Sequence, residues 1–243
     1  MPLTGLTTLG ALVTAAALRA DQPTPSTTTF ITTANWYTFV NGSCQELHDK
    51  LIEAYGADYR VTLSSSITTT ASASTYALPD GFYKLLGVDL QVSTAAGNNG
   101  WVNVPKFNFE DRNRYAMSVP SVGATTLLRY RLSGDNLWLT PQPPANLVLK
   151  VWYAPRFTPM TADGDTFDGV SGWEEYVINS AAMKALVKEE SDISGLMALQ
   201  AVQDRRLATI IENRDAGSPA TVVDVYNQGS VQPGPGWGGW GGW

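Results

Sequence analysis

The chain has 243 residues, enough for one sizeable domain or two small ones, and its 44% hydrophobic content is near the globular norm. Only 16% of residues are charged and the net charge is −6, which argues against a nucleic-acid groove, because phosphate affinity needs clustered Lys and Arg. A single cysteine, Cys44, and a single histidine, His48, exclude an internal disulfide, a thiolate zinc site and a His-cluster metal site, so no cofactor is expected.

The opening MPLTGLTTLGALVTAAALRAD has no basic n-region and is broken by Thr and Gly every few residues. It is too short and too interrupted to span a bilayer, so it reads as a soluble amphipathic helix. Leu6, Leu9, Val13 and Ala17 (or Ala16) fall at helical spacing, with Thr4 as the expected cap. A Pro/Thr linker, DQPTPSTTT, leads to a second helix with Trp36, Val40, Cys44, Leu47, Leu51 and Tyr55 on one stripe. Asn35 is the expected start and Gly56 the expected stop. Cys44 reads as a core residue of this helix and His48 as a residue on its surface.

From Tyr59 to about Phe157 the texture changes to short β-type runs separated by Gly, Pro, Asn and Asp. SGDN between RYRL and LWLT is a hairpin turn. Five or six antiparallel strands are expected, hence a small sandwich or barrel. Helical spacing returns in GWEEYVINSAAMKALVKEE, with Trp173, Tyr176, Val177, Ala181 and Leu186 inward and Glu174 and Glu175 where the dipole favours acids. Ser191 or Asp192 restarts a last helix striped by Ile193, Leu196, Leu199, Leu207, Ile210 and Ile211 and stopped by Gly217 and Pro219.

The expected fold class is therefore α+β: a helical bundle from residues 1–58 and 170–217, an inserted antiparallel β domain over 59–169, and an extended C-terminal arm over 218–243. The arm ends in PGPGWGGWGGW and cannot build a core of its own, so it is ordered only on a partner. Its three-residue spacing matches a polyproline-II period, setting Trp237, Trp240 and Trp243 along one edge, with Tyr226 and Val231 as further docking candidates. Burying three indoles is worth roughly 11–19 kcal/mol gross, against about 7–14 kcal/mol of backbone ordering. The two nearly cancel, so one free arm binds weakly and many tethered arms act together.

Motifs for chemistry are sparse. In DGDTFDG (163–169), Asp163, Asp165 and the distant Glu174 sit at calcium-loop positions, but Phe167 and Asp168 occupy positions that need an oxygen ligand and a glycine. The better reading is a solvated loop capping the helix that follows. Glu174 and Glu175 are adjacent and point about 100° apart on a helix, so they cannot flank one substrate as an acid/base pair. No phosphate loop, dinucleotide fingerprint or nucleophile elbow occurs, and no enzyme activity is expected. FNFEDRNRY (107–115) could stack on nucleic acid, but Glu110 and Asp111 are expected to neutralise Arg112 and Arg114, which favours a structural or subunit-contact role. Trp101, Trp138 and Trp152 could form a sugar-stacking platform, which makes a carbohydrate-binding β domain the alternative reading; aromatic residues in alternating strands are more often core.

Taken in order, LPDGFYKLLGVDL, FNFEDRNRY, LTPQPP and WYAPRFTPMTADGDTFDGVSGWEEYVINSAAMKALVKEESD, together with the N-terminal ELHDKLIEAYGADYRV, resemble the head-to-tail adaptor (connector) proteins of tailed bacteriophages. The resemblance covers roughly residues 3–224. It implies a virion protein without catalytic activity, assembled as a ring, typically dodecameric, beneath the portal. Its partners would be the portal, tail or nozzle proteins and further copies of itself, with DNA only as passing cargo and no membrane. Assembly would take place in the host cytoplasm. Helices 172–190 and 193–214 would form the ring wall, and the segment after Asn213 would reach the portal. DNA must slide without being held, so Glu189, Glu190, Asp192, Asp204 and Glu212 are the expected channel-facing residues.

Overall fold

The computed structural model describes residues 8–55, 60–64, 66–71, 73–92, 100–116, 128–167 and 172–212. They form a mixed α+β structure of five helices and two antiparallel sheets. The arm residues Tyr226, Val231, Trp237, Trp240 and Trp243 lie outside the described residues, as do Leu6, Gly56, Asp168, Gly217 and Pro219.

Helix α1 spans Leu9–Arg19, and its cap is Thr8 rather than Thr4, which precedes the described residues. Thr8 is extended (φ −84°, ψ 149°) and its hydroxyl accepts from Ala11 N at 3.3 Å, the geometry that satisfies one orphan donor of the first turn. At the other end Asp21 adopts φ +53°, and Gln22 N donates to Ala17 O at 2.9 Å, which closes the last turn. Helix α2, Thr33–Tyr55, begins two residues before the expected Asn35. Asn35 N donates to Thr32 Oγ1 at 3.4 Å, so the hydroxyl just outside the helix serves the first turn. Trp36, Val40, Cys44, Leu47 and Leu51 are all fully buried, as their spacing predicts.

Helix α4, Glu174–Lys188, packs against α1, α2 and the helix that follows it. Its alanines Ala181, Ala182 and Ala185 are fully buried, and their small side chains let the neighbouring backbones come close. Helix α5, Ser194–Glu212, is held more loosely. Leu207 is its one residue buried at the core among those whose side chains are described, with Leu196 packed at the edge. Leu199, expected in the stripe, is 49% exposed, because the seam runs through Leu196, Gln200 and Leu207. The side chains of Ile210, Ile211 and Glu212 lie outside the described residues.

Among the described residues eight strands replace the expected five or six. A five-stranded sheet has the order β1 (Thr62–Leu63), β8 (Val148–Pro155), β4 (Phe82–Gln91), β5 (Trp101–Asn103), with β2 (Ile67–Thr68) also on β8. A three-stranded sheet has the order β3 (Thr75–Ala77), β7 (Asn136–Thr140), β6 (Arg129–Ser133). The β6–β7 turn is Gly134–Asp135, with Gly134 at φ +57° and Ser133 paired with Asn136. Val88, Leu90, Leu149 and Val151 of one sheet meet Leu137 and Leu139 of the other in a shared core, so the arrangement is a sandwich and not a barrel.

Helices and sheets meet at His48. It is 1% exposed, not on the surface, and its Nε2–H donates to Pro155 O at 3.0 Å. Its ring faces Tyr83 and Phe157 at centroid distances of 6.0 and 6.3 Å. Pro155 and Tyr83 of the sandwich thus reach a residue of α2 that helical spacing alone places on the surface. Tyr83 OH adds a second link, donating to Asp49 Oδ1 at 2.7 Å.

Candidate functional site

The residues with reactive side chains are committed to structure. Cys44 is buried and its thiol is pushed up to about 12 by loss of solvent, so it is inert as a nucleophile. Glu174 Oε2 accepts from Gly172 N at 2.9 Å, whereas Glu175 accepts two bonds of 2.9 Å from Arg19 Nη2, linking α4 to α1. The two carboxylates serve different partners.

Among its described residues, 163–167, the loop caps α1, a helix that precedes it in the chain. Leu9 N donates to Asp165 O at 2.8 Å and Gly10 N to Asp163 O at 3.0 Å, so the loop closes the N-terminus of α1. Any Cβ at position 10 would lie 3.1 Å from Asp163 Oδ1, which is why a glycine sits at this crossing. The calcium-like carboxylates point to protein donors. Asp163 accepts from Tyr37 OH at 2.6 Å, which raises the Tyr37 pKa chiefly through that bond. Asp165 Oδ2 accepts from Ala162 N and Thr161 N at 2.8 and 2.7 Å, and these bonds hold its pKa below the ordinary value. Among the described residues no group of three or more His, Cys, Asp or Glu could hold a metal ion, and no helix is long and apolar enough to cross a membrane.

Of the acidic residues expected to face a channel, Glu190 and Asp192 are exposed at the α4–α5 turn. Asp192 also caps α5: its Oδ1 and Oδ2 accept from Ser194 N and Oγ at 2.9 and 2.8 Å, lowering its pKa. Glu189 is half-buried and accepts from Gln22 Nε2 at 2.7 Å, fastening the end of α1 to that of α4. Asp204 pairs with Lys50 at 2.7 Å. Burial alone would lower the Lys50 pKa, but bonds to Asp204 and Tyr176 raise it overall. The side chain of Glu212 is outside the described residues.

The three strand tryptophans do not share a platform. Trp101 and Trp152 lie on the outer face of the five-stranded sheet, where Lys150 Nζ covers the Trp101 ring at 3.9 Å and Trp152 Nε1 donates to Asp89 Oδ2 at 2.6 Å. Trp138 alternates with buried Leu137 and Leu139, so it lies on the outer face of the other sheet.

FNFEDRNRY is what covers Trp138. A 3-10 turn (Phe109–Asp111) and the short helix α3 (Arg112–Ala116) lie against β7, with Phe107 and Phe109 at 5.5 and 6.4 Å from the Trp138 ring. The arginines are not neutralised by Glu110 and Asp111 as expected. Arg112 stacks on Phe109 at 4.3 Å and Arg114 on Tyr115 at 6.0 Å. From β6, Arg131 and Arg129 reach the same two rings at 5.1 and 4.4 Å. This layering was missed from sequence, although Arg129 and Arg131 alternate with inward Tyr130 and Leu132, a period-2 signal for a cationic outer face.

Among the described residues, mixed helix and antiparallel sheet carry carboxylates that are tied into caps and inter-element bonds. A family model described as the SU10 adaptor protein matches residues 7–223, and the chain belongs to that family of phage adaptor proteins. No curated protein matches the chain.

Proposed function

We propose that the protein is a head-to-tail adaptor that assembles as a ring, a dodecamer, beneath the portal, connects capsid to tail and continues the DNA channel. The observation that carries this reading is the adaptor-family match over residues 7–223. Low charge supports it, since a subunit surrounded by protein needs less charged surface. In this reading residues 1–58 and 170–217 form the bundle, 59–169 protrude as the β insert, and Glu189, Glu190, Asp192, Asp204 and Glu212 make the lumen acidic. Residues 218–243 act as the docking arm, placing Trp237, Trp240, Trp243, Val231 and Tyr226 in apolar pockets of the portal or a neighbouring copy. The partners are the portal, tail or nozzle proteins and further copies of the chain; DNA is passing cargo.

The test images wild-type adaptor on portal rings from the same virus and counts its copies. It then replaces Trp237, Trp240 and Trp243 together with Ala. A closed ring that is lost from portal complexes on substitution is expected. A single copy bound per portal ring sinks the ring, and unchanged retention of a folded triple variant sinks the arm.

A further inference from the structure

The net charge of −6 hides a division. Residues 60–156 hold nine Lys and Arg against five Asp and Glu, whereas the rest of the chain holds seven against seventeen. Six of the nine cations, Lys84, Lys106, Arg112, Arg114, Arg129 and Arg131, gather on one flank of the sandwich. Lys84, Lys106 and Arg131 line one cavity of about 440 Å³ along the β6 edge. The four arginines are held on the rings of Phe109 and Tyr115, which Phe107 and Trp138 support. None of the six makes an ion pair with any described residue. The segments 93–99 and 117–127 contain no charged residue that could neutralise them. Phe109 itself is 48% exposed. Among the described residues the flank is thus a cationic surface without ion-pair partners, its four guanidiniums stacked on an aromatic floor.

A matching surface exists on the same chain. At the junction of α1 and α4, Gln22 is bonded to Glu189, and Lys188 lies over the Phe30 ring at 5.3 Å. Asp21 and Glu190 are exposed there, each just past a helix end with positive φ (+53° and +59°). The same corner holds the three most exposed large apolar side chains described: Leu18 at 81%, Phe30 at 68% and Val187 at 58%. Acidic and apolar there, cationic and aromatic on the sandwich, the two surfaces complement each other in both respects. A closed ring needs two unlike, complementary patches on every copy, because each subunit meets its neighbours head to tail. Electrostatic complementarity of this kind sets register and rejects wrong partners.

We infer that the Arg/aromatic flank of the sandwich docks on the acidic α1–α4 corner of the next copy of this chain. The inference rests on the ring proposed above and names the contact that closes it. Duplex DNA is the other available polyanion, but a ring of fixed guanidiniums facing the channel would hold the cargo that must slide.

The experiment assembles adaptor on portal rings of the same virus and counts adaptor copies by electron microscopy. Arg112→Glu with Arg131→Glu should lower occupancy roughly tenfold or more. Adding Asp21→Lys and Glu190→Lys to that variant should restore it. If the arginine variant melts early, Lys106→Glu with Arg114→Glu, both exposed, carries the same comparison. Carbodiimide treatment of wild-type complexes should couple Lys84 or Lys106 of one copy to Asp21, Glu189 or Glu190 of another. Full occupancy by a folded reversal variant overturns the inference and leaves the ring standing, as does a loss that the acidic-corner reversal does not rescue. Salt-sensitive binding of free adaptor to duplex DNA, lost in the arginine variant while occupancy is kept, assigns the flank to nucleic acid and also overturns it. Absence of any ring with wild-type protein removes both readings together.

Discussion

The helical layer and the sandwich bury polar groups for different ends. In the sandwich, hydroxyls repair the backbone ladder. Ser64 Oγ accepts from Val151 N at 3.0 Å where β1 gives way to β2, and Thr69 Oγ1 accepts from Leu147 N at 2.9 Å while donating to Pro144 O at 2.7 Å. A strand broken into two-residue pieces keeps its partner's N–H groups satisfied in this way. In the helical layer, buried polar groups join one element to another. Ser43 donates to Ser180, Ser180 to Glu46, and Lys184 reaches both Ser43 at 3.0 Å and Glu46 at 2.9 Å, all between α2 and α4. Helices that pack through alanines have few knobs to fix their register, and a bonded network supplies it. Backbone repair keeps a sheet together; cross-helix bonding chooses one packing out of several.

The largest effects should come from the two apolar cores, and they should remain separate. Trp36 and Leu149 are both fully buried, one in each cluster. Trp36→Ala should cost about 3–5 kcal/mol and Leu149→Ala about 2–5 kcal/mol in denaturant melts. Hydrogen exchange should then accelerate in α1, α2 and α4 for the first and in β4 and β8 for the second. Uniform acceleration across both regions in either variant would show that the His48 and Tyr83 junction couples them into one unit.

How much of this was legible follows from the same contrast. The stripe from Trp36 to Leu51 and the hairpin at Gly134 could be read directly, because local spacing and turn chemistry decide them. Three features could not, since each depends on a distant partner. His48 is buried by Pro155, 107 residues away, and a lone polar residue on a helix carries no mark of that cover. The loop at Asp163 and Asp165 caps α1 from more than 150 residues away, as the bonds Gly10 N to Asp163 O and Leu9 N to Asp165 O show. Sequence proximity pairs Arg112 and Arg114 with adjacent acids, whereas in the fold they stack on the rings of Phe109 and Tyr115. The adaptor family was legible from the order of motifs. The cationic flank was not, because its six residues come from four separated segments of the chain.

A middle-sized effect should separate repair from bonding. Ser64→Ala leaves Val151 N without its acceptor in a buried site, and Ser180→Ala removes one link of the α2–α4 network; each should cost about 1–3 kcal/mol. Their signatures should differ. Ser64→Ala should speed exchange at the Val151 amide while leaving the helices unchanged. Ser180→Ala should leave local helical exchange near wild type but lose much of its cost in a Glu46→Gln, Lys184→Met background, because the network it weakens is already gone. Additive costs in that background would mean that the network carries no cooperative register.

The smallest effect concerns acid. The two described carboxylates that backbone N–H groups hold below their ordinary pKa both serve helix ends: Asp165 in the loop that caps α1, and Asp192 at the start of α5. For each, the depressed folded value means that its stabilisation is present above the unfolded value of about 3.9 and is lost as pH falls through the folded value below it. Asp192 is exposed and Asp165 only partly covered, so water and salt weaken the gain. Asp165→Asn and Asp192→Asn should each lower Tm slightly at pH 6 relative to wild type. The difference should shrink as the pH falls through the depressed folded values, where wild type loses the same charge. Acid should also loosen the helical ends before the sandwich, seen as faster exchange at Leu9, Gly10 and Ser194 while Val88 and Val151 stay protected. A wild-type-to-variant difference that is constant across this range would show that the caps act through shape and hydrogen bonding alone, with no contribution from the ionised carboxylate.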